Sequence, residues 1–461
     1  MKFTITSSAA AAAAAVVVLG LAQNTEACDH DAVRRATLIN QDPVQRAAIH
    51  RRHFLAHSDS HNKSANRKRQ SSSKYPPAFA TPPKSMTPKE WLDALSAAES
   101  AGKIPKIPRT KLDASGAITY PAGTDIQSVC SWTQTNCFGA NDISKAPDGY
   151  WGLNFDDGPN TPSPMLYNFL SQQKTAATFF LIGSNMVGNP DAIKQAQSLG
   201  VGHFGVHTWS HTVQTTLSNE DIVAELGWTM QIIYDLTGRI PSHWRPPQGD
   251  ADSRVRAVAE EVFGLIAVMW DEECNDWCIA ETGDIAPGCA STTPGKSVSS
   301  ITKAIDDATK LPKSPGVILL EHDLTQYSIK AFEDHTWTGI KSQGWNAQPI
   351  GNFPGEPSWY ANAANSTSPV TSQTSMLKSA RVAIAGGGSG TGSGSGSSTA
   401  STTATKGTKS SSSSSSRNSA TGTSSSSTNA ASSNRIVNPL APLAGSIGAL
   451  VVVALGAAAL V

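Results

Sequence analysis

Three things are scarce in this chain of 461 residues, and each scarcity removes an explanation. Six cysteines are too few to scaffold a protein of this length, although an even number can pair. Net charge is absent: 36 Lys and Arg balance 36 Asp and Glu, so no basic field marks a nucleic-acid partner. The fully apolar run near the N-terminus is short for a bilayer span, which disfavours a transmembrane anchor there. Length alone would allow several domains, yet much of the chain lacks the apolar content to build a core.

What is present is chemistry gathered in four short clusters. They are Asn154-Phe155-Asp156-Asp157-Gly158-Pro159, His207-Thr208-Trp209-Ser210-His211, Arg245-Pro246-Pro247-Gln248-Gly249-Asp250 and Leu320-Glu321-His322-Asp323. Taken singly they are weak signals. Asp-Asp-Gly-Pro alone suits a surface turn, and His207-x-x-x-His211 would equally put two ordinary histidines on one helix face. The apolar run before Asp156 and the order of the clusters favour a hydrolytic metal site. A divalent transition metal with an open position needs about three N/O ligands, which Asp157, His207 and His211 supply. Asp156 and His322 are left as the two proton-transfer groups that water attack on an acyl carbon requires. Asp156 can take the proton of the water if Arg245 holds it in place, and His322 must be protonated to serve the leaving group. That division of labour implies a bell-shaped pH profile.

These clusters resemble the motifs of the polysaccharide deacetylase family, also called the NodB-homology or carbohydrate esterase family 4, and specifically its fungal chitin deacetylases. The resemblance covers roughly residues 150–353. It implies that Asp156 is the general base, Asp157 with His207 and His211 the metal ligands, and Arg245 the residue that orients the base. It matches Asp276 and Trp277 to a further motif, in which the Asp holds the catalytic histidine and the Trp walls the acetyl pocket. Leu320 would touch the acetyl methyl, and His322 would be the general acid. One position departs from the pattern, since Gln248 stands where relatives commonly carry Tyr or Phe. The oxyanion contact there comes from a backbone N–H, which Gln keeps. The aromatic platform is lost, so substrate preference should change more than activity. Read on its chemistry, the Gln248 amide favours partly deacetylated chains.

Organisation follows composition. Residues 1–27 carry a lysine, an Ala/Val-rich run and a small-residue exit, the pattern of a signal peptide. Residues 28–69 are basic and close on Arg67-Lys68-Arg69, reading as a pro-segment or a solvated arm. An N-terminal extension, 70–145, precedes the deacetylase domain expected over 146–360. A stalk over 361–433 is Gly/Ser/Thr/Ala-rich from Ala385 onward and cannot repay the entropy of ordering. The tail 434–461 ends in an uncharged apolar run, and with small residues around Asn429 it reads as a glycosylphosphatidylinositol signal; a tail-anchored membrane protein is the alternative. Asn62 and Asn365 open N-glycosylation sequons. Disulfides are favoured over a structural zinc site for Cys130, Cys137, Cys274, Cys278 and Cys289, with one left over if Cys28 departs with the pro-segment.

Apolar runs at 151–155, 177–182, 201–206, 265–270 and 317–320 read as buried strands, with amphipathic segments between them. The clearest helix is Ser218–Leu236, capped by Ser218 with Asp221 and stopped by Gly238. Alternating strands and helices predict an α/β fold of parallel strands, a (β/α) barrel with catalytic residues at strand C-termini. The resemblance makes it a distorted barrel of seven parallel strands, a single catalytic domain with disordered appendages. The function expected is metal-dependent removal of N-acetyl groups from N-acetylglucosamine in chitin or partly deacetylated chitosan. Zinc is the expected ion, with cobalt as the alternative. The partners are cell-wall glycans and, through the anchor, the plasma membrane; the protein is expected to be a monomer. An acetyl esterase of xylan or another glycan is the competing enzyme, and an inactive wall-binding protein the competing class.

Overall fold

Buried aromatic and branched side chains define the sheet. A computed structural model describes residues 74–113, 116–292, 295–365 and 368–381. The strands are β1 (Lys111–Leu112), β2 (Ile118–Thr119), β3 (Tyr150–Asp156), β4 (Ala177–Leu181), β5 (Gly202–Val206), β6 (His243–Trp244), β7 (Ile266–Ala267), β8 (Glu272–Glu273), β9 (Leu319–Leu320) and β10 (Asn346–Pro349). Six of them form one parallel sheet in the order β10-β3-β4-β5-β6-β7. β3 and β4 are buried along nearly their whole length, on both faces, as parallel strands covered by helices should be.

The barrel differs in count from the seven strands expected. β8 and β9 form a separate parallel pair, and the 317–322 segment joins β3 through the bridges Trp151–Val317 and Asp156–His322. The ladder between those bridges is interrupted by a side chain: Asn154 Nδ2 donates to the Leu319 carbonyl at 2.9 Å, and to Gly152 O at 2.7 Å. The result is a half-barrel closed by two bridges. β6 and β10 lack the apolar runs expected of strands, being two residues and a polar Asn-Ala-Gln-Pro, so pattern could not reveal them.

The longer helices are α1 (Lys89–Ser100), α2 (Ser163–Gln172), α3 (Pro190–Leu199), α4 (Asn219–Thr237) and α5 (Val298–Thr309). α4 follows the sequence reading within a residue at each end. Ser218 and Asp221 complete a capping box, and Gly238 leaves the helix at φ 70°. Ile222, Leu226, Met230 and Ile233 are buried against the sheet side. α1 lies on α4 because Gly227 leaves room for Trp91, whose ring meets Trp228 and Phe263 edge-on, each at 5.8 Å. The N-terminal extension is therefore part of the core.

The folded chain also continues beyond the boundary expected at 360. Asn362 and Met376 are buried, and the Arg381 guanidinium donates to Phe263 O. Disulfides join Cys130 to Cys137 and Cys278 to Cys289, while Cys274 is a buried thiol. Among the described residues no helix is long and apolar enough to cross a membrane. The segments read as a signal peptide, as a pro-segment with Cys28 and Asn62, as most of a stalk, and as an anchor signal with Asn429 lie outside the described residues.

Candidate active site

The site forms where strands end. β3 delivers Asp156, and the next residue, Asp157, turns the chain at φ 70°. Gly158 follows because a Cβ there would come within 2.7 Å of both carboxylate oxygens of Asp323. β5 ends at Val206, and His207-x-x-x-His211 is a loop rather than a helix face: Thr208 and His211 have φ 64° and 57°. That left-handed backbone is uncommon for non-glycine residues and needs support. Glu225 of α4 supplies it. Its buried carboxyl accepts the N–H groups of Trp209 and Ser210, each at 2.8 Å, and the Ser210 hydroxyl at 2.5 Å.

Asp157 Oδ1 lies 3.2 Å from Nε2 of both His207 and His211, and all three side chains are buried. His207 Nδ1 stands 2.8 Å from the Arg245 carbonyl, so the ring proton sits there and Nε2 turns a lone pair toward the carboxylate. Asp156 Oδ2 is a further 3.8 Å from the same nitrogen. Two carboxylates and imidazole lone pairs converging out of water repel one another unless a cation lies among them. The donor set thus fits a divalent ion bound by two imidazoles and one carboxylate. Burial works against an ionised Asp157, but His211 and His207, when their Nε2 atoms carry protons in place of an ion, override it and hold its carboxyl well below the usual range.

Arg245 is built into the barrel interior. It donates from Nη1 to Asp156 Oδ1 at 2.7 Å and to Asn154 Oδ1 at 2.6 Å, and from Nε and Nη2 to the carbonyls of Val268 and Met269. Its guanidinium lies over Phe180 at 4.3 Å and near Trp270 at 5.5 Å. Burial lowers the Arg245 pKa, and the paired Asp156 opposes that fall. One oxygen of Asp156 is thereby fixed by the arginine while the other faces the candidate metal position.

His322 is fixed as firmly. Its Nδ1 is 2.8 Å from Asp276 Oδ1, and its backbone N–H donates to Asp276 Oδ2 at 2.7 Å. Burial pulls the imidazole pKa down, but the charge and hydrogen bond of Asp276, with Asp157 and Asp156 behind, push it up to about 10. Trp277 and Leu320 are both 2 % exposed beside this pair in sequence. Gln248 adopts φ 59° in the Pro247–Gly249 turn, and its side chain is buried, not directed into solvent. Asn365 is exposed, as a glycosylation acceptor should be.

Three contributors were given no role by the sequence. Asn154 opens the first cluster and sits two residues before Asp156, hence on the same strand face, a spacing that could have marked it. Glu225 lay hidden in the amphipathic pattern of α4. Trp132, from the N-terminal extension, packs 4.6 Å from Trp270 and over Gly249, where a Cβ would come within 2.2 Å of its ring.

Fold and site together define an α/β half-barrel carrying a two-histidine, one-carboxylate candidate cation site beside an Asp and a His suited to proton transfer. The family model for polysaccharide deacetylase matches residues 144–263. Chitin deacetylase 3 of Cryptococcus neoformans var. neoformans serotype D is 37% identical over 308 residues, 66% of this chain and 70% of that protein. A chitin deacetylase of Amylomyces rouxii is 40% identical over 190 residues, 39% of this chain and 44% of its own length. The solved chitin deacetylase of Colletotrichum lindemuthianum aligns at TM-score 0.41 and 22% identity, over 48% of this chain and 94% of that one. The chain belongs to the polysaccharide deacetylase family.

Proposed function

We propose that this protein hydrolyses N-acetyl groups of N-acetylglucosamine units in chitin or partly deacetylated chitosan, releasing acetate at the cell surface. The observation that carries the reading is Asp157 Oδ1 held 3.2 Å from two imidazole nitrogens, next to an arginine-bound Asp156. Asp157, His207 and His211 would hold the ion, and zinc suits two imidazoles and a carboxylate, with cobalt as a substitute. When bound, such an ion lowers the pKa of water and polarises an acyl oxygen.

The protein's own groups then divide the proton work. Asp156, aimed by Arg245, accepts the proton of the attacking water. The Gln248 backbone N–H is the oxyanion donor. His322 delivers a proton to the leaving amine, and Asp276 fixes its tautomer by accepting the hydrogen bond from Nδ1–H, leaving Nε2–H for the substrate. Trp277 and Leu320 form the wall against the acetyl methyl. Similarity to proteins named chitin deacetylases supports an N-acetyl amide, rather than an acetyl ester, as the proposed substrate.

Location rests on sequence. The signal at 1–27, the stalk and the 434–461 tail support secretion and a glycosylphosphatidylinositol anchor near Asn429, which would set the enzyme against the wall glycans as a monomer. Glycosylation at Asn365 would survive removal of the pro-segment that carries Asn62. The deciding experiment measures acetate release from chitin oligomers and acetylated xylan side by side, with chelator and with zinc restored. Release from chitin oligomers that the chelator abolishes is expected; release from xylan alone would make the protein an esterase, and release from neither would leave a wall-binding protein.

A further inference from the structure

A cleft of about 830 Å³ opens beside Ser210 and His211, and its opposite wall comes from the N-terminal extension through Phe79, Arg109, Lys111 and Leu112. That wall is tied to the histidine loop. Thr110 donates its N–H to Thr215 O at 3.1 Å and shares a 2.6 Å hydroxyl contact with Thr215. Trp209 Nε1 donates to Pro77 O at 2.9 Å, and Phe79 N–H to the Ser184 hydroxyl at 2.8 Å. The extension and the loop that carries a candidate metal ligand therefore hold one shape.

The charge on the wall is of one sign. Arg109 and Lys111 are exposed, neither is in an ion pair among the described residues, and no carboxylate lines the cleft. The Lys111 backbone is paired in the β1–β2 ladder against Thr119, which fixes where its side chain leaves the wall. Two unneutralised cations thus border the approach to the site.

We propose that Arg109 and Lys111 are specificity-determining residues that disfavour glycan units bearing a free amino group in this cleft, so that the enzyme prefers acetylated stretches. The proposal rests on the deacetylase reading above. An N-acetyl unit is neutral, whereas a deacetylated one carries an ammonium. Two like charges across a partly screened cleft weaken its binding by about 3–10-fold at low salt. Each turnover also creates an ammonium, so a freshly made product unit leaves the cleft and reaction at its immediate neighbour is disfavoured.

The test compares kcat/KM for acetate release from a fully acetylated chitin oligomer and from a partly deacetylated one of equal length. It uses wild type and the double variant Arg109→Gln with Lys111→Gln, both exposed positions. Expected is a fall of about 3–10-fold in the acetylated-to-deacetylated ratio in the variant, and a similar fall in wild type at high salt. The same ratio in both proteins at low salt overturns the proposal, as does a wild type that prefers the deacetylated oligomer. Acetate from neither oligomer with wild type would instead overturn the functional reading. Arg109→Glu is the sign control and should favour the cationic oligomer.

Discussion

His322 and Asp276, 46 residues apart, are joined twice: Nδ1 to Oδ1 at 2.8 Å and backbone N–H to Oδ2 at 2.7 Å. The second bond locks the carboxylate plane, so the first cannot swing away. It is this carboxylate that lifts the imidazole pKa to about 10 despite burial. The acid form of His322 is present below that pKa and lost as pH rises through it. A bound divalent cation lowers the value, yet Asp276 still raises it relative to a neutral partner. In Asp276→Asn the basic limb of the pH–rate profile should move to lower pH, and kcat should fall by about 10²-fold or more. A basic limb at the wild-type position would remove His322 from the role of acid.

Ligand and base separate by metal content. Asp157→Asn and His211→Ala should lose the ion and activity together, seen by elemental analysis of purified protein. Asp156→Asn should keep the ion, because its Oδ1 still accepts from Arg245, and lose about 10²–10⁴-fold in rate. Stoichiometric metal in Asp157→Asn would contradict the ligand set, and near-wild-type turnover in Asp156→Asn would contradict the base. Replacing Arg245 by Met is a different matter. It leaves Asp156 buried without its cation, a change that costs about 3–5 kcal/mol, so unfolding midpoints should drop sharply.

Glu225 offers a test of the loop. Three donors from Trp209 and Ser210 converge on its carboxylate and hold His211 at φ 57°. Glu225→Gln presents an NH₂ group to at least one of them, so the loop should relax and the ion be held about 10–100-fold less tightly. Competition with a metallochromic chelator measures this directly. Unchanged affinity would mean that the loop is held elsewhere.

The legible part of this molecule was what lies close together in sequence. The buried runs gave β3, β4 and β5, and the Ser218–Asp221 box with Gly238 gave α4, because those signals are local. The residues proposed as metal ligands, base and acid lie within four clusters that the structure brings together, so composition and order were enough to group them. Asp276, outside those clusters, came only through resemblance. The closing bridges at Trp151 and Asp156 depend on pairing across more than 160 residues, which no periodicity reports. Gln248 is the instructive case. Its amide suggested a preference for deacetylated chains, but the side chain is buried, and the charge nearest the cleft comes from Arg109 and Lys111 in an extension whose sequence carries no motif.

The last prediction concerns acid stability. His203 and His243 lie fully buried on β5 and β6, their rings edge-on at 5.2 Å, with His203 Nδ1 2.9 Å from the Thr178 hydroxyl. Burial pushes His243 down to about 3, aided by the charge of Arg381, and pushes His203 well below its ordinary value, aided by His243 and Arg239. The unfolded chain takes up these protons near pH 6.5, while the folded chain refuses them. Stability from these groups is therefore complete above about pH 6.5 and lost as pH falls toward about 3, at about 1.4 kcal/mol per unit for His243. Three buried carboxyls act in the opposite sense. Burial raises Glu225 and Asp323 to about 7 and Asp250 to about 6, so each adds stability as pH falls through that range. The wild-type curve mixes both signs, and a difference between proteins isolates one. His243→Phe keeps a ring edge-on to His203 and removes the proton acceptor. Its unfolding free energy, measured in urea against wild type, should improve in relative terms by about 1.4 kcal/mol for each unit between about pH 6 and about pH 4. A difference that stays flat across that interval would show that His243 is not excluded from protonation in the folded protein.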